Sequence, residues 1–182
     1  MLKMLYPDDY VRSVYDINFE ELYKQGYRGI IFDIDNTLVF HGAPADGRSL
    51  ELFDELHKLK FNTVLLSNNK DRRVAPFATA VRSLYICNAN KPSKTGYNDA
   101  MRLMRTKRRT TLVIGDQLFT DIWGGKRAKI RTVLVEPLGP KEDFHIFFKR
   151  VLEKIILFFY DRSDYHRREV PIKVGSRRRL RW

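Results

Sequence analysis

A chain of 182 residues, 43% hydrophobic and 31% charged, can bury a sizeable core, which excludes a disordered or fibrous protein. Its 34 Lys and Arg against 22 Asp and Glu leave a formal charge of +12. That excess points to anionic partners or substrates: nucleic acid, anionic lipid or phosphorylated small molecules. The single cysteine, Cys87, excludes an internal disulfide, and "MLKMLYPDDY" lacks the long apolar core of a signal peptide. An intracellular, reducing compartment is therefore expected, cytoplasmic or peripheral on the inner face of a membrane, with an organelle as a further alternative.

The first apolar run is "GIIFDI" (29–34), a short buried strand opened by Gly29. The stretch "GRSLELFDELHKLK" (47–60) has helical periodicity and leads into a second strand, "FNTVLLS" (61–67). About one further helix precedes the strand "LYICNA" (84–89), in which Cys87 is expected to be a buried structural thiol. "PSKTGYNDAMRLMRT" (92–106) is a helix before the strand "TTLVIGD" (110–116). "TDIWGGKRAK" (120–129), weakened as a helix by its two glycines, precedes "RTVLVE" (131–136). Strands rich in Val, Ile and Leu that alternate with helices predict an α/β fold: a doubly wound parallel sheet of about five strands.

Chemistry-bearing residues gather where these strands end, the rim at which open α/β sheets bind ligands. Asp33 and Asp35 follow the first strand, and Ser67, Asn68 and Asn69 the second. Asn90 and Lys91 follow the third, and "GDQLFTD", with Asp116 and Asp121, the fourth. In an extended chain Asp33 and Asp35 would point the same way, an unfavourable pair unless a divalent cation or shared proton compensates. On residues 29–40 alone a surface turn explains them equally well. A calcium-binding EF-hand loop is excluded, because Leu38 and Pro44 stand where that loop needs Gly and Glu. Taken together, the rim holds the parts of a metal-assisted phosphoryl transfer. These are a carboxylate to attack phosphorus, a second to move the proton, hydroxyl, amide and lysine donors, and an all-oxygen acidic cluster that favours Mg²⁺ over Zn²⁺.

In these residues the sequence resembles the haloacid dehalogenase (HAD) superfamily of phosphohydrolases. Its D-x-D-x-T motif is Asp33-Ile34-Asp35-Asn36-Thr37, its strand-end hydroxyl Ser67, its lysine Lys91, and its G-D-x-x-x-x-D motif Gly115 to Asp121. The resemblance implies Asp33 as nucleophile and Asp35 as general acid and base. Thr37, Ser67, Asn68 and Lys91 would contact phosphate or substrate. Asp33, Asp116, Asp121 and the Asp35 backbone carbonyl would surround Mg²⁺, with Asp121 acting on the metal's water shell or on Lys91. An acid at position 35 implies a phosphatase or phosphotransferase, since transporting ATPases of the superfamily carry Thr there. Over about residues 1–140 the likeness is to the YqeG-like branch, subclass IIIA, which includes mitochondrial phosphatidylglycerophosphatases. "HGAPADGRS" departs from the acidic or Trp-bearing loop expected there.

The spacings between Asp35, Ser67 and Lys91 leave no room for a cap domain, so residues 1–140 are expected to be a capless HAD-like domain with an open site. Residues 141–182 would add an amphipathic helix and a basic tail. "FHIFFKRVLEKIILFFY" (144–160) is too charged to span a bilayer. Lys149, Arg150, Glu153 and Lys154 share one helical face, with Phe147, Phe148, Val151, Ile155, Phe158 and Phe159 largely elsewhere. Such a helix either packs on the core or lies in a membrane interface. The leading expectation is a Mg²⁺-dependent phosphatase of a lipid phosphate, phosphatidylglycerophosphate. One alternative is a soluble phosphatase of a sugar, nucleotide or protein phosphate. Another is an RNA- or ribosome-associated protein using Arg177, Arg178, Arg179 and Arg181, although no nucleic-acid module is recognisable.

Overall fold

The computed structural model describes residues 2–139, 156–158, 160 and 172. In chain order the strands are β1 (Asp9–Val11), β2 (Gly29–Phe32), β3 (Asn62–Leu66), β4 (Leu84–Ile86), β5 (Thr111–Gly115) and β6 (Arg131–Val135). They form one parallel sheet in the order β1-β6-β5-β2-β3-β4. The helices are α1 (Phe19–Lys24), α2 (Gly47–Lys58), α3 (Asp71–Val81), α4 (Lys94–Met104) and α5 (Trp123–Arg127).

Strands β2, β3 and β5 are almost wholly buried because both faces of the sheet are covered. On one face Phe32, Leu65 and Ile114 meet Leu52, Phe53 and Leu56 of α2 and Val74, Phe77 and Val81 of α3. On the other, Ile31, Val64 and Val113 meet Tyr97, Ala100, Met101 and Met104 of α4. Each fully buried large side chain contributes about 1.5–3 kcal/mol. Helix α2 starts where Asp46 and Ser49 exchange bonds: the Ser49 amide donates to Asp46 Oδ1 at 2.8 Å, and the Asp46 amide to Ser49 Oγ at 2.9 Å.

From β2 the chain steps outward through β3 to β4, then returns across β2 and steps the other way through β5 to β6. Neighbours β2 and β5 therefore flank the point where the winding reverses, the place such sheets reserve for ligands. Their register pairs Phe32 with Ile114, which carries Asp33 and Asp116 out side by side. Between Asp35 and Lys91 the connections hold only α2, β3, α3 and β4. No cap is inserted there.

The expected doubly wound parallel sheet of about five strands is present, and among the described residues it has one more, making six. The unexpected one, β1, is three residues long, and its charged neighbours hold it on β6. Arg131 grips Asp9 with Nε at 2.8 Å and Nη2 at 3.0 Å, while the Thr132 amide donates to Asp8 at 2.8 Å and Lys126 pairs with Asp8. Strand β4 stops at Ile86, short of the expected Ala89, and Cys87 is only partly buried at this edge. The expected helix over 120–129 begins as a π-turn, Leu118–Ile122, before α5.

Of the expected segment 144–160, only residues 156–158 and 160 are described. Ile156 and Tyr160 are buried with Tyr6, Leu118, Ile122 and Leu134, while Phe158 is half exposed. Ile172 is also buried, and its amide donates to Asp9 Oδ1 at 3.0 Å. Phe147, Phe148, Val151, Ile155, Phe159 and the arginines at 177, 178, 179 and 181 lie outside the described residues.

Candidate active site

The first strand stops at Phe32, and the chain turns at once. The Ile34 carbonyl accepts from the amides of Thr37 (3.3 Å) and Leu38 (2.9 Å), and Asn36 takes a left-handed φ of 61°. An extended chain would aim both aspartates the same way; this turn gives their carboxylates different partners instead. Asp33 Oδ1 accepts from Lys91 Nζ at 2.6 Å, and the Asp33 amide donates to the Ile114 carbonyl of β5 at 3.0 Å. Asp35 Oδ2 accepts from Asn69 Nδ2 at 2.7 Å. Its Oδ1 accepts from Arg73 Nη2 and the Gly42 amide, both at 2.8 Å.

Asp33, Asp116 and Asp121 each offer an oxygen within 4.8 Å of the others. Thr37 Oγ1 lies between two of them, 3.5 Å from Asp33 Oδ2 and 3.4 Å from Asp116 Oδ1. Lys91 Nζ bridges Asp33 and Asp121, the latter at 2.7 Å, with its side chain only 4% exposed. Gly115 makes this approach possible, since a Cβ there would stand 2.4 Å from Asp121 Cγ. The π-turn supplies the rest by presenting Asp121 back toward the Gln117 amide, which donates to Oδ2 at 3.2 Å.

Burial pushes the Asp33 carboxyl up to about 6; the Lys91 ammonium opposes the rise and Asp121 adds to it. Burial alone would lower the Lys91 pKa, but the carboxylates of Asp121 and Asp33 together hold it above its ordinary value. Three carboxylates against one ammonium leave two negative charges in a mostly buried space. Among the described residues the donor set is entirely carboxylate oxygen, with no imidazole or thiolate. That charge and that chemistry fit a hard divalent cation.

Contacts join six of the eight residues expected from sequence: Asp33, Thr37, Lys91, Asp116 and Asp121 converge, and Asn68 holds the Lys91 backbone, while Ser67 ends the neighbouring strand. Asp35 sits alongside, its carboxylate outside the acidic cluster. Asn68 spends both ends of its amide on the Lys91 backbone, accepting from the amide at 2.7 Å and donating to the carbonyl at 3.3 Å. In this geometry it positions the lysine. Ser67 Oγ, buried, accepts from the Asn69 amide at 3.1 Å. Arg73 is the important residue that sequence reasoning missed. Its signal, "KDRRVAP" directly after "SNN", is indistinguishable from a solvated first helical turn.

A family model described as HAD-hydrolase-like matches residues 88–137. Over 167 residues the chain is 38% identical to "Probable phosphatase YqeG" of Bacillus subtilis (strain 168), covering 91% of this chain and 97% of that protein. Among solved structures, the fold is similar to the cobalt-bound deoxy-D-mannose-octulosonate 8-phosphate phosphatase YrbI of Haemophilus influenzae. The TM-score is 0.50 at 14% identity, over 77% of this chain and 92% of that one. A hypothetical protein of Xanthomonas campestris gives a TM-score of 0.51 at 10% identity, over 69% and 72% of the two chains. At these identities the two structures speak for the fold alone.

Proposed function

The chain belongs to the haloacid dehalogenase superfamily, in its YqeG-like branch, and from that premise we propose a Mg²⁺-dependent phosphomonoesterase that works through an aspartyl-phosphate on Asp33. The observation that carries this reading is Lys91 Nζ at 2.6 Å from Asp33 and 2.7 Å from Asp121, inside the three-carboxylate cluster. An acid so placed has its Oδ1 held by the Lys91 ammonium, while Oδ2, 3.5 Å from the Thr37 hydroxyl, lies on the side of Asp116.

In the first half-reaction an Asp33 oxygen attacks phosphorus and the bond to the leaving oxygen breaks. Asp35 gives that oxygen its proton, forming the free alcohol and the aspartyl-phosphate. In the second, Asp35 takes a proton from water as the water oxygen attacks phosphorus, which releases phosphate and restores the Asp33 carboxylate. Asn69, Arg73 and the Gly42 amide aim the Asp35 carboxylate for both transfers. The Ser67 hydroxyl, whose proton has no acceptor among the described residues, and Lys91 would hold the phosphoryl oxygens. A divalent cation held by Asp33, Asp116, Asp121 and the Asp35 carbonyl would supply charge neutralisation between the nucleophile and those oxygens.

The substrate proposed is phosphatidylglycerophosphate. The capless connections leave the site open, which suits a phosphate presented at a surface, and no helix among the described residues is long and apolar enough to cross a membrane. Phosphate release from phosphatidylglycerophosphate in detergent micelles, measured beside an aryl phosphate, tests the reading. A roughly hundredfold higher kcat/KM for the lipid is expected, with both activities lost to a chelator and restored by Mg²⁺. Equal rates on the two substrates would remove the lipid assignment. Full activity after exhaustive chelation would remove the metal.

A further inference from the structure

Asp35 forms one wall of a cavity of about 300 Å³ whose other walls are His41, Gly42, Asn69, Lys70, Arg72 and Arg73. This is small for a ligand pocket, which typically holds about 300–1,000 Å³, and it is lined by three full positive charges. One of them is matched, since Arg73 Nη2 lies 2.8 Å from Asp35 Oδ1. Lys70 and Arg72 have no carboxylate partner among the described residues. Asp71, between them in sequence, turns away toward the sheet edge, where its Oδ1 accepts from the Tyr85 hydroxyl at 2.9 Å.

The position of this cavity matters more than its charge. If Asp35 protonates the leaving oxygen, that oxygen must come within hydrogen-bond reach of it. The alcohol half of the substrate then lies on the Asp35 side of the nucleophile, in or over this cavity. With no cap to read it, the alcohol is met by the loop after β2 and the start of α3. We infer that Lys70 and Arg72, with the His41 imidazole, form a subsite for a second phosphate carried by the alcohol half of the substrate. An arginine and a lysine lining one small cavity match the charge and the acceptor oxygens of a phosphate. The inference rests on the phosphatase reading for the direction in which the substrate lies. It adds the residues that would read a second phosphate on the alcohol, whether that phosphate belongs to a soluble bisphosphate or to a lipid headgroup phosphodiester.

The test compares 1,3-propanediol bisphosphate with 3-hydroxypropyl phosphate, which has the same tether and a neutral end. The bisphosphate should show roughly tenfold or greater preference in kcat/KM, fading as salt rises. The double variant Lys70→Gln, Arg72→Gln, altered only at exposed positions, should bring that ratio close to one. It should cut turnover of micellar phosphatidylglycerophosphate by a similar factor. An unchanged ratio would overturn the subsite while the phosphatase reading stood. A loss confined to the micellar lipid would also overturn it, because the two cations would then act on the charged surface rather than on the second phosphate. Calorimetric binding of both compounds to Asp33→Asn separates the two ideas from the other side. A bisphosphate preference that depends on Lys70 and Arg72, in a chain that hydrolyses neither compound before mutation, would keep the subsite and remove the reaction.

Discussion

Replacing Lys91 by methionine removes one charge and little volume from the most constrained point of the site. The Lys91 side chain is 4% exposed, and its ammonium touches two carboxylates whose side chains are 11% and 3% exposed. Without it Asp33 and Asp121 face one another with no cation between them. Breaking a buried ion pair by deleting one partner costs about 3–5 kcal/mol, a large part of the roughly 5–15 kcal/mol that holds a domain together. The midpoint of thermal unfolding should fall by roughly 10 °C. The loss should depend on pH. Lys91 is the influence that lowers the Asp33 pKa; once it is gone, the folded-state value climbs further above the unfolded one. A carboxyl raised in this way weakens the fold above its folded pKa, and the penalty fades as pH falls through that value. Urea unfolding in chelator should therefore show a larger deficit for Lys91→Met near about pH 8 than near about pH 5. Mg²⁺ should recover part of it. A deficit below about 1 kcal/mol, or one equal at both pH values, would refute the picture of a lysine neutralising two buried acids.

Asp33→Asn should lower phosphate release by roughly a thousandfold or more. Its metal-free fold should be no less stable than the parent near neutral pH, because burial and Asp121 already disfavour the charged acid; denaturation in chelator checks this. Asp35→Asn should slow both proton transfers, and acid-quenched mass spectrometry should detect aspartyl-phosphate on Asp33 if the first half-reaction persists. Gly115→Ala should push Asp121 from its place, since the new Cβ would stand 2.4 Å from its Cγ. Activity should drop roughly a hundredfold and the Mg²⁺ concentration for half-activation should rise, with circular dichroism little changed.

Much of this molecule is legible in its sequence because its strands obey a simple rule. A strand covered on both faces must be a run of Val, Ile and Leu, and β2, β3, β5 and β6 are such runs. Strand β1 carries no such signal. It is held by the Arg131 fork on Asp9, a contact between residues 122 positions apart that no local pattern announces. The same distinction divides the site. Asp33, Lys91, Asp116 and Asp121 are visible as polar residues at the ends of apolar runs. Arg73 is hidden because its partner, Asp35, lies 38 positions away and the arginine opens a helix whose other early residues face water. Asn68 has a second task that sequence could not announce: its amide closes on the backbone of Lys91, 23 positions away.

Two aspartates separated by one residue can serve one reaction in different roles only if the chain keeps them in different surroundings. Ending the strand at Phe32 does this. Asp33 continues the line of β2 against β5, where Thr37, Lys91, Asp116 and Asp121 converge. Asp35, past the turn at Ile34, is turned over to α3 and the loop after β2. A residue more of strand would aim both carboxylates at the acidic cluster, adding a fourth negative charge and leaving no acid beside the cavity at the start of α3. The positive φ of Asn36, a conformation that Asn tolerates better than most side chains, carries the chain on from Asp35 within the turn that the Ile34 carbonyl closes. Substitution of Asn36 by a β-branched residue should therefore harm proton transfer from Asp35 more than the geometry of Asp33. The measurable sign would be a fall in turnover of alkyl phosphates, which need their leaving group protonated, with a smaller fall for aryl phosphates, which do not. Equal losses on both would mean that the turn supports the nucleophile as well, and that the division of labour does not originate there.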